Sequence, residues 1–529
     1  MFYANCWKAL VLITTVCSAL SVGAQQNPTT SNGPIVDRFG QYLPTDWPGK
    51  VHTDADLQAA LQKEQDLMRS EWLLPQHRDP FGGETDLGWH AEATGFYRVM
   101  QHNGKWWLIT PQGNPCFYTG VCTVPTLVNG TPITGREGLF AWLPPKTGTY
   151  VAAWGTSPWD RSDKTEYFSF DTANLIRKFG NIWDQRARTE AIQRLQHWGF
   201  CGAGKWSEML PNVPSLPVLW YSADYIGRHP DIFDPKVQAQ IRRSLQQQIA
   251  PHKNDPYILG WSIKNEFDEI ITIQEIKELL QKPATVPAKR ALVDEALKTR
   301  YHNDVAAIAA AWKVSPPSRA ALYSAQPTPP MDDLEALRQF FAKSYYAFLY
   351  QTVKQIDPHH LYFGFWIVPG WWQNASDWGL IAPYCDVIGY DRYATTFADS
   401  WLEGLFNATK KPVLCGEFSF PPYYNGQRGF GRYFVSTTDE SQEADLYAKW
   451  AKDAAANPYC VGLMWFEYRD EPITGRGPGH GPERVYGENY AFGLVDVADR
   501  PRWDVVTRMR EVNLQLDRIR ASSETTLAK

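Results

Sequence analysis

The chain has 529 residues, a formal net charge of −5 and 14% aromatic residues, including 23 tryptophans. This length is more than one ordinary hydrophobic core needs. Because the charge is mildly negative and Lys and Arg form no runs, the composition argues against a nucleic-acid partner. After the N-terminus, no stretch approaches the ~18 apolar residues of a membrane-spanning helix, so no membrane span is expected. The many tryptophans fit either sugar binding or core packing, and composition does not separate the two.

The N-terminus has the pattern of an export signal. A basic residue precedes the apolar run 9–22, and small residues follow it at a possible cleavage position. We predict a signal peptide over residues 1–24 and therefore a secreted or periplasmic protein. A lipoprotein anchor at Cys17 is the less favoured alternative, because Val16 before it is not a small residue.

The cysteines beyond the signal segment are predicted to be free core thiols. They fall in or beside apolar runs, and their spacing with histidines does not match a zinc site. One disulfide among them is the less favoured alternative. These cysteines are Cys116, Cys122, Cys201, Cys385, Cys415 and Cys460.

Residues 25–95 are rich in Pro, Gln, Asp and Gly, and they show one clear helical segment, Asp54–Arg69. We interpret them as a lead-in or small appendage. Phe96–Tyr118 then alternates between apolar and polar residues, with a turn signal at Asn103 and Gly104. This segment is predicted to be a β-ribbon that runs into the first core strand.

From there the chain alternates between short apolar runs and helical or long polar segments. Eight runs are predicted to be strands: Cys116–Val124, Phe200–Trp206, Pro217–Tyr221, Tyr257–Ile263, Leu361–Trp366, Asp386–Tyr390, Pro412–Cys415 and Val461–Phe466. Four helices are predicted: Arg186–Trp198, a helix that Asp234 caps and Pro235 begins, Asp332–Ile356 and Ser441–Asn457.

Near-continuous apolar strands are typical of a parallel sheet that is buried on both faces. Eight such units favour an α/β fold of the (β/α)₈ barrel type over residues 96–515, with long insertions after strands one, four and eight and a C-terminal tail at 516–529. A doubly wound open sheet is the alternative. It would call for a glycine-rich phosphate turn after the first strand, and Thr119-Gly120-Val121 is not one.

Two carboxylates end opposed strands of this barrel. Strand four ends at Glu266, and strand seven ends at Glu417. Retaining glycoside hydrolysis requires two carboxyl groups about 5–5.5 Å apart, one protonated and one ionised. Because active sites of such barrels lie at the carboxyl ends of the strands, the pair predicts a glycosidase site. Glu467, Asp470 and Glu471 after strand eight are rivals for the nucleophile, but they lie on the wrong wall relative to strand four.

Residues beside the two glutamates are candidates for substrate binding. Asn265 precedes Glu266, where its amide could hydrogen-bond a sugar 2-hydroxyl. Tyr390 ends strand six, where its hydroxyl could hold and tune Glu417. Trp465 ends strand eight, where its indole could form the floor of a sugar subsite.

Other candidate contacts follow strands two and five. Lys205 and Trp206 end strand two, and Trp366 ends strand five. Tryptophans in loops at the mouth of the barrel would make stacking platforms for sugars. These loop residues are Trp142, Trp154, Trp159, Trp371 and Trp372.

The strand positions of these residues resemble the pattern of clan A glycoside hydrolases. Longer stretches are similar to the agarases of glycoside hydrolase family fifty and their relatives, from about residue 96 to 510. The stretches are NGKWWLITPQGNPCFYTGV (103–121), LQHWGFCGAGKWSE (195–208), DPYILGWSIKNE (255–266), DPHHLYFGFW (357–366), YCDVIGYDRY (384–393), KPVLCGEFSF (411–420) and MWFEYRDEPITGR (464–476). An insertion after strand four, 297–312, also resembles a segment of clan A β-galactosidases.

The resemblance implies a retaining enzyme in which Glu266 is the general acid/base and Glu417 the nucleophile, with no cofactor and no metal. Its expected partner is a β-linked galactose-containing polysaccharide or oligosaccharide. A β-galactosidase or mannanase-type enzyme is the alternative within enzymes, and a carbohydrate-binding protein without catalysis is the alternative of another class. A metal-dependent barrel hydrolase is disfavoured, because strand one lacks an HxH motif. The sequence carries no signal for an oligomeric state.

Overall fold

A computed structural model describes residues 33–125, 129–156, 165–266, 270–369, 375–476 and 487–523. The predicted signal peptide, residues 1–24, lies outside these ranges. Within them, no helix combines the length and the apolar character that crossing a membrane requires.

The helices are α1 (Asp54–Ser70), α2 (Phe170–Phe179), α3 (Trp183–His197), α4 (Pro235–Ile249), α5 (Ile273–Leu280), α6 (Pro287–Thr299), α7 (Val305–Ala311), α8 (Arg319–Ser324), α9 (Met331–Ile356), α10 (Ala375–Ile381), α11 (Ser400–Thr409), α12 (Glu440–Ala456), α13 (Trp503–Asn513) and α14 (Leu516–Ser522). The strands are β1 (Arg98–His102), β2 (Lys105–Ile109), β3 (Pro115–Cys116), β4 (Tyr118–Val121), β5 (Thr131–Pro132), β6 (Trp154–Thr156), β7 (Glu166–Phe168), β8 (Gly202–Ala203), β9 (Val218–Leu219), β10 (Gly260–Ile263), β11 (Leu361–Gly364), β12 (Ile388–Asp391), β13 (Val413–Phe418) and β14 (Cys460–Trp465).

The predicted core strands form two parallel sheets. One has the order β12-β13-β14-β4-β8, and the other has the order β11-β10-β9. Each of the predicted core runs overlaps one of these strands, and helices lie between most of them in the chain. The α/β class is therefore confirmed. The predicted β-ribbon is also present as the antiparallel sheet β1-β2-β3, and the insertion after β4 carries a second antiparallel sheet, β5-β7-β6.

The edges of the two parallel sheets are linked by backbone hydrogen bonds. On one flank, the N–H of Ala203 in β8 donates to the carbonyl of Pro214, just before β9, at 2.8 Å. On the other flank, the N–H of Ile367, after β11, donates to the carbonyl of Gly389 in β12 at 3.0 Å, and the N–H of Asp391 donates to the carbonyl of Ile367 at 2.8 Å.

Local sequence signals fix the helices that pack on these sheets. The side chain of Asp234 accepts the N–H of Lys236, and Pro235 occupies the first turn of α4, as the sequence predicts. The buried side of α4 is the apolar face at i, i+4 that begins with Val237 and ends with Ile249. At α1, Thr53 and Asp56 form a capping box.

Apolar side chains fill both sides of the parallel strands. Tyr118, Leu414 and Met464 belong to a cluster enclosed by the sheets, whereas Trp261 and Val413 belong to the larger cluster between sheets and helices. Every residue of β4, β10, β11, β12, β13 and β14 is buried. Strands buried on both faces explain why the sequence shows continuous apolar runs rather than alternation.

The cysteines of the described chain are free and buried, as predicted. The Sγ atoms of Cys116 and Cys201 approach to 3.9 Å, which is a contact and not a disulfide. The predicted tail begins with α14, whose Asp517 accepts the N–H of Phe117 at 2.6 Å, next to β4. The domain boundaries drawn from the sequence stay predictions.

Candidate active site

The structure brings Glu266 and Glu417 together. Glu266 follows β10, and Glu417 lies near the carboxyl end of β13. One carboxylate oxygen from each of Glu266, Glu417 and Asp391 lies within 4.8 Å of the others. Three acidic groups therefore converge at the carboxyl ends of three parallel strands, and Asp391, the last residue of β12, is the member that the sequence reasoning missed.

Three donors hold the carboxylate of Glu417. The indole N–H of Trp206 donates to Oε1 at 2.9 Å, and the ammonium of Lys205 lies 2.8 Å from the same oxygen. The hydroxyl of Tyr393 donates to Oε2 at 2.8 Å. The side chain of Glu417 is 7% exposed, so these contacts form in a setting with little water, where hydrogen bonds to an ionised group are strong.

Lys205 is the central cation of the site. Its Nζ lies 2.6 Å from Oδ2 of Asp391 and donates to Oδ1 of Asn265 at 2.7 Å, in addition to its contact with Glu417. Burial opposes the charged form of this lysine, but the carboxylates of Asp391, Glu417 and Glu266 outweigh burial and raise the pKa of Lys205. The protonated lysine thus compensates part of the negative charge of the acidic cluster.

Tyr393, and not Tyr390, contacts Glu417, so the expected role of Tyr390 is corrected. The side chain of Tyr390 is fully buried, and its hydroxyl lies beside the thiols of Cys415 and Cys460. Tyr390 pairs with Cys415 of β13 and Asp391 pairs with Glu417, with a shift of register between the two pairs, so Asp391 faces Glu417 while Tyr390 faces the other way. Burial and the charge of Glu417 raise the pKa of Tyr393 well above its ordinary value, which keeps its hydroxyl protonated and able to donate.

Trp465 also lies elsewhere than the sequence predicts. Trp465 pairs with Phe418 of β13. Phe418 directly follows Glu417 in that strand, so its side chain points to the opposite face of the sheet. The indole is fully buried, stacks edge-on against Phe418 and Tyr447, and donates through Nε1 to the carbonyl of Phe492 at 3.0 Å. Trp465 therefore packs the sheet against α12 and does not form the floor of a sugar subsite in this structure.

Trp366 lies beneath the acidic cluster. Its ring is fully buried, and the Nζ of Lys205 lies 4.5 Å from the ring centroid, a cation–π distance. A Cβ atom at Gly416 would lie 2.4 Å from this ring, so glycine before Glu417 makes room for the indole. The structure thus gives Trp366 a contact with Lys205 in place of the predicted exposed contact with a sugar.

The predicted rival acids Glu467, Asp470 and Glu471 are paired with arginines and do not join the cluster. Glu467 and Glu471 each lie 3.1 Å from the guanidinium of Arg476, and Asp470 contacts Arg502. Burial raises the pKa of Glu467 to about 7, although Arg476 opposes this rise. These ion pairs give the rival acids a different setting from that of Glu417.

Loop tryptophans contribute less than the sequence suggests. Trp142 packs against Tyr150, and Trp154 packs against Phe168, both in the cluster of the insertion after β4. The other predicted platforms, at positions 159, 371 and 372, lie outside the described residues. Among the predicted aromatic contacts that the structure describes, Trp206 is the one that both touches Glu417 and remains partly exposed.

Comparisons with known proteins agree with the sequence motifs. The chain is 27% identical to β-agarase B of Vibrio sp. (strain JT0107) over 538 residues, which cover 90% of the chain and 54% of that protein. It is 26% identical to β-agarase A of the same strain over 94% of the chain and 54% of that protein. The chain therefore spans about half the length of these relatives. It is similar in sequence to agarases.

Solved structures give the same result. The protein PfGH50B matches with a TM-score of 0.82 and 26% identity over 94% of this chain and 77% of that protein. An exo-β-agarase matches with a TM-score of 0.80 and 25% identity over 94% of this chain and 75% of that protein. No family model matches the chain. The resemblance to agarases is confirmed at the level of sequence and fold, while membership of clan A stays a prediction.

Proposed function

We propose that the protein is a retaining glycoside hydrolase that cleaves β-linked galactose-containing polysaccharide or oligosaccharide, in the manner of an agarase. The observation that carries the proposal is the approach of Glu266 and Glu417, whose nearest oxygens lie within 4.8 Å of each other. That separation fits the ~5–5.5 Å between the carboxyl groups of retaining enzymes, and it is shorter than the ~6.5–9.5 Å that an inverting enzyme needs for a water molecule. The similarity to agarases supports the substrate class.

The proposal includes a closed (β/α)₈ barrel of the clan A type. The backbone hydrogen bonds from Ala203 to Pro214 and from Ile367 to Gly389 support it, because they link the two parallel sheets at both flanks. In such a barrel the carboxyl ends of all strands meet at one rim, which is where catalytic residues gather. Secretion, inferred from the predicted signal peptide, is part of the same proposal.

The contacts of Glu417 support its role as the nucleophile. The ammonium of Lys205, the indole N–H of Trp206 and the hydroxyl of Tyr393 all stabilise an ionised carboxylate. In the first step an oxygen of Glu417 bonds to the anomeric carbon while the glycosidic C–O bond breaks. The electron pair of that bond stays on the leaving oxygen, which takes the proton of Glu266.

Glu266 then acts as a base in the second step. Its carboxylate removes a proton from water, the water oxygen bonds to the anomeric carbon, and the bond to Glu417 breaks. Two inversions leave the product with the β configuration of the substrate. Asn265 supports both steps: because its Oδ1 accepts from Lys205, its amide N–H group is oriented to donate to a sugar hydroxyl beside the anomeric carbon.

The stereochemistry of the first product tests the proposal. Hydrolysis of agarose oligosaccharides followed by ¹H NMR is expected to show the β-anomer of the new reducing end before mutarotation. Glu417→Gln and Glu266→Gln are each expected to lower kcat by at least about 10³-fold, because each removes a group on which both steps depend. Initial release of the α-anomer, or full activity of Glu417→Gln, would contradict the assignment.

A further inference from the structure

An aromatic ridge lies beside the acidic cluster, and apart from Tyr393 its residues have no role in the chemistry described above. It consists of Tyr393, Tyr433, Phe434, Phe466 and Phe492, whose rings lie 4.3–6.4 Å from their neighbours in the ridge. One end of the ridge reaches the proposed nucleophile, because Tyr393 donates its hydroxyl hydrogen bond to Glu417. The other end reaches solvent at Phe434.

Phe434 is the most exposed large apolar side chain of the described residues, with 67% of its surface open to water. Its ring centroid lies 4.3 Å from that of Tyr433 and 6.4 Å from that of Tyr393. An exposed phenylalanine that stands alone needs no explanation, but one continuous with an aromatic cluster next to an active site marks a binding surface.

The turn that carries Phe434 is held by its own hydrogen bonds. The N–H of Tyr433 donates to Oγ of Ser436 at 2.9 Å, and the N–H of Ser436 donates back to the carbonyl of Tyr433 at 3.1 Å. Val435 next to it is buried, and Gly431 bonds to the carbonyl of Asn489 at 3.1 Å. The fold thus presents Phe434 on a fixed turn, so the exposed position of the ring is built into the structure.

The chemistry of the ridge fits a sugar and not a charged ligand. Its exposed end is a phenyl ring, and Tyr433 adds a hydroxyl close enough to the cluster that the charges of Glu266 and Glu417 act on it. The 4-hydroxyl of a galactopyranose is axial and lies on one face of the ring. The opposite face therefore presents C–H groups with no hydroxyl among them. That face can lie flat on an aromatic ring while hydroxyls at its edge reach a phenol.

We propose that Phe434 and Tyr433 form a subsite for a galactopyranose unit that is not the one being cleaved at its anomeric carbon. The inference rests on the proposed function and deepens it. The enzyme binds several sugar units of one polysaccharide chain, and the ridge binds a sugar unit adjacent to the one that reacts. Binding energy from such a remote unit then positions the glycosidic bond between Glu266 and Glu417.

Binding to a catalytically disabled protein tests this subsite separately from the chemistry. In a Glu266→Gln background, calorimetry with a six-sugar agarose oligosaccharide is expected to show about tenfold weaker affinity for Phe434→Ala, the size of one lost apolar contact. Phe434→Trp is expected to restore the affinity, since it keeps an aromatic face at the same place. Restoration by tryptophan excludes a mere folding defect.

Leu74→Ala provides the matched control. Leu74 is also a large exposed apolar residue, at 52% exposure. It lies two residues after Trp72, whose carbonyl contacts His197 at 2.6 Å. His197 ends α3, before β8 begins, so this segment lies on the amino side of β8, whereas Glu417 lies near the carboxyl end of β13. This variant is expected to bind the oligosaccharide as the parent does.

The outcomes separate the subsite from the proposed function. Equal affinity of the parent and Phe434→Ala for the six-sugar probe would overturn the subsite, whatever the catalytic result. Equal losses in Phe434→Ala and Phe434→Trp would also overturn it, because the ring face would then not be what binds. A third outcome is that Phe434→Ala weakens binding in the Glu266→Gln background, while the parent protein, which retains Glu266, does not hydrolyse agarose oligosaccharides. That outcome would support the subsite and overturn the hydrolase proposal.

Discussion

The ammonium of Lys205 lies 2.6 Å from Oδ2 of Asp391, and neither side chain is exposed to solvent. The same ammonium contacts Glu417 at 2.8 Å, so a structural ion pair and the proposed nucleophile share one cation. Breaking a buried ion pair by removing one partner is costly, because the other charge stays buried without compensation.

Lys205→Met is expected to lower the free energy of unfolding by about 3–5 kcal/mol. The double variant Lys205→Met with Asp391→Asn is expected to recover part of this loss, because it leaves one uncompensated carboxylate fewer. Denaturation with guanidinium chloride at pH 7 measures both. A single variant as stable as the parent, or a double variant less stable than the single one, would contradict a direct Lys205–Asp391 pair.

Tyr393→Phe is expected to lower kcat/KM about 10- to 100-fold, because it removes the hydroxyl that donates to Oε2 of Glu417. Tyr390→Phe is the matched control, since it also deletes a tyrosine hydroxyl, but one that lies beside Cys415 and not beside Glu417. Steady-state kinetics on agarose oligosaccharides decides between them. A larger loss of kcat/KM in Tyr390→Phe than in Tyr393→Phe would support the contact between Tyr390 and Glu417 that the sequence predicts, and it would contradict the contact between Tyr393 and Glu417.

Much of the fold follows from the sequence because it depends on local or repeated signals. The Asp234–Pro235 start of α4 and the apolar runs of the parallel strands are such signals, and the structure has both. The two glutamates follow from the same signals, since each ends an apolar run at a strand terminus, where parallel strands place their functional groups.

The neighbours of Glu417 do not follow so directly. Whether Tyr390 or Asp391 faces Glu417 depends on the register between β12 and β13, and that register shifts between these two residues. A shift of one residue exchanges the two faces of a strand, and nothing in the sequence marks where it occurs. Tyr393 and Phe434 lie beyond the strands, in segments whose positions depend on contacts with residues distant in the chain, so sequence periodicity carries no information about them.

Asp517 is expected to make stability depend on pH. Burial raises the pKa of Asp517 to about 7, although Arg78 opposes this rise, from an ordinary value of 3.8. The folded state therefore binds more protons than the unfolded state between these two values, and the contribution of Asp517 to stability falls as the pH rises through that window. Asp517→Asn keeps an oxygen that accepts the N–H of Phe117 but does not titrate.

The measurement is the difference in free energy of unfolding between the parent and Asp517→Asn at several pH values. From pH 4.5 to pH 6.5 the free energy of unfolding of the parent is expected to fall, relative to that of Asp517→Asn, by at most about 2–3 kcal/mol. The limiting slope for one proton is about 1.4 kcal/mol per pH unit. A difference that stays constant over this range, or that moves in favour of the parent, would show that Asp517 is not held protonated by burial.

Arg194 fastens the N-terminal lead-in to the α/β core, and its replacement is expected to loosen that attachment. Its guanidinium donates two hydrogen bonds of 2.8 Å to the carboxylate of Glu64 in α1 and one of 2.9 Å to Asp499, and all three side chains are buried. Arg194→Met leaves Glu64 buried and uncompensated, so the free energy of unfolding is expected to fall by about 3–5 kcal/mol. Arg69→Met removes the ion pair with Asp66 on the exposed side of the same helix, and it is expected to change stability by less than about 1 kcal/mol.

Limited proteolysis adds a readout specific to the lead-in. Because Arg194 is the buried cation that contacts Glu64, Arg194→Met is expected to expose the connection between α1 and β1 to cleavage at concentrations of trypsin that leave the parent and Arg69→Met intact. Equal stability and equal cleavage of the two variants would mean that α1 is held by its apolar contacts alone. A variant that loses stability but shows no new cleavage in the connection would mean that Arg194 stabilises the protein through Asp499 and not through Glu64. Asp499 also pairs with Lys178 and Arg469.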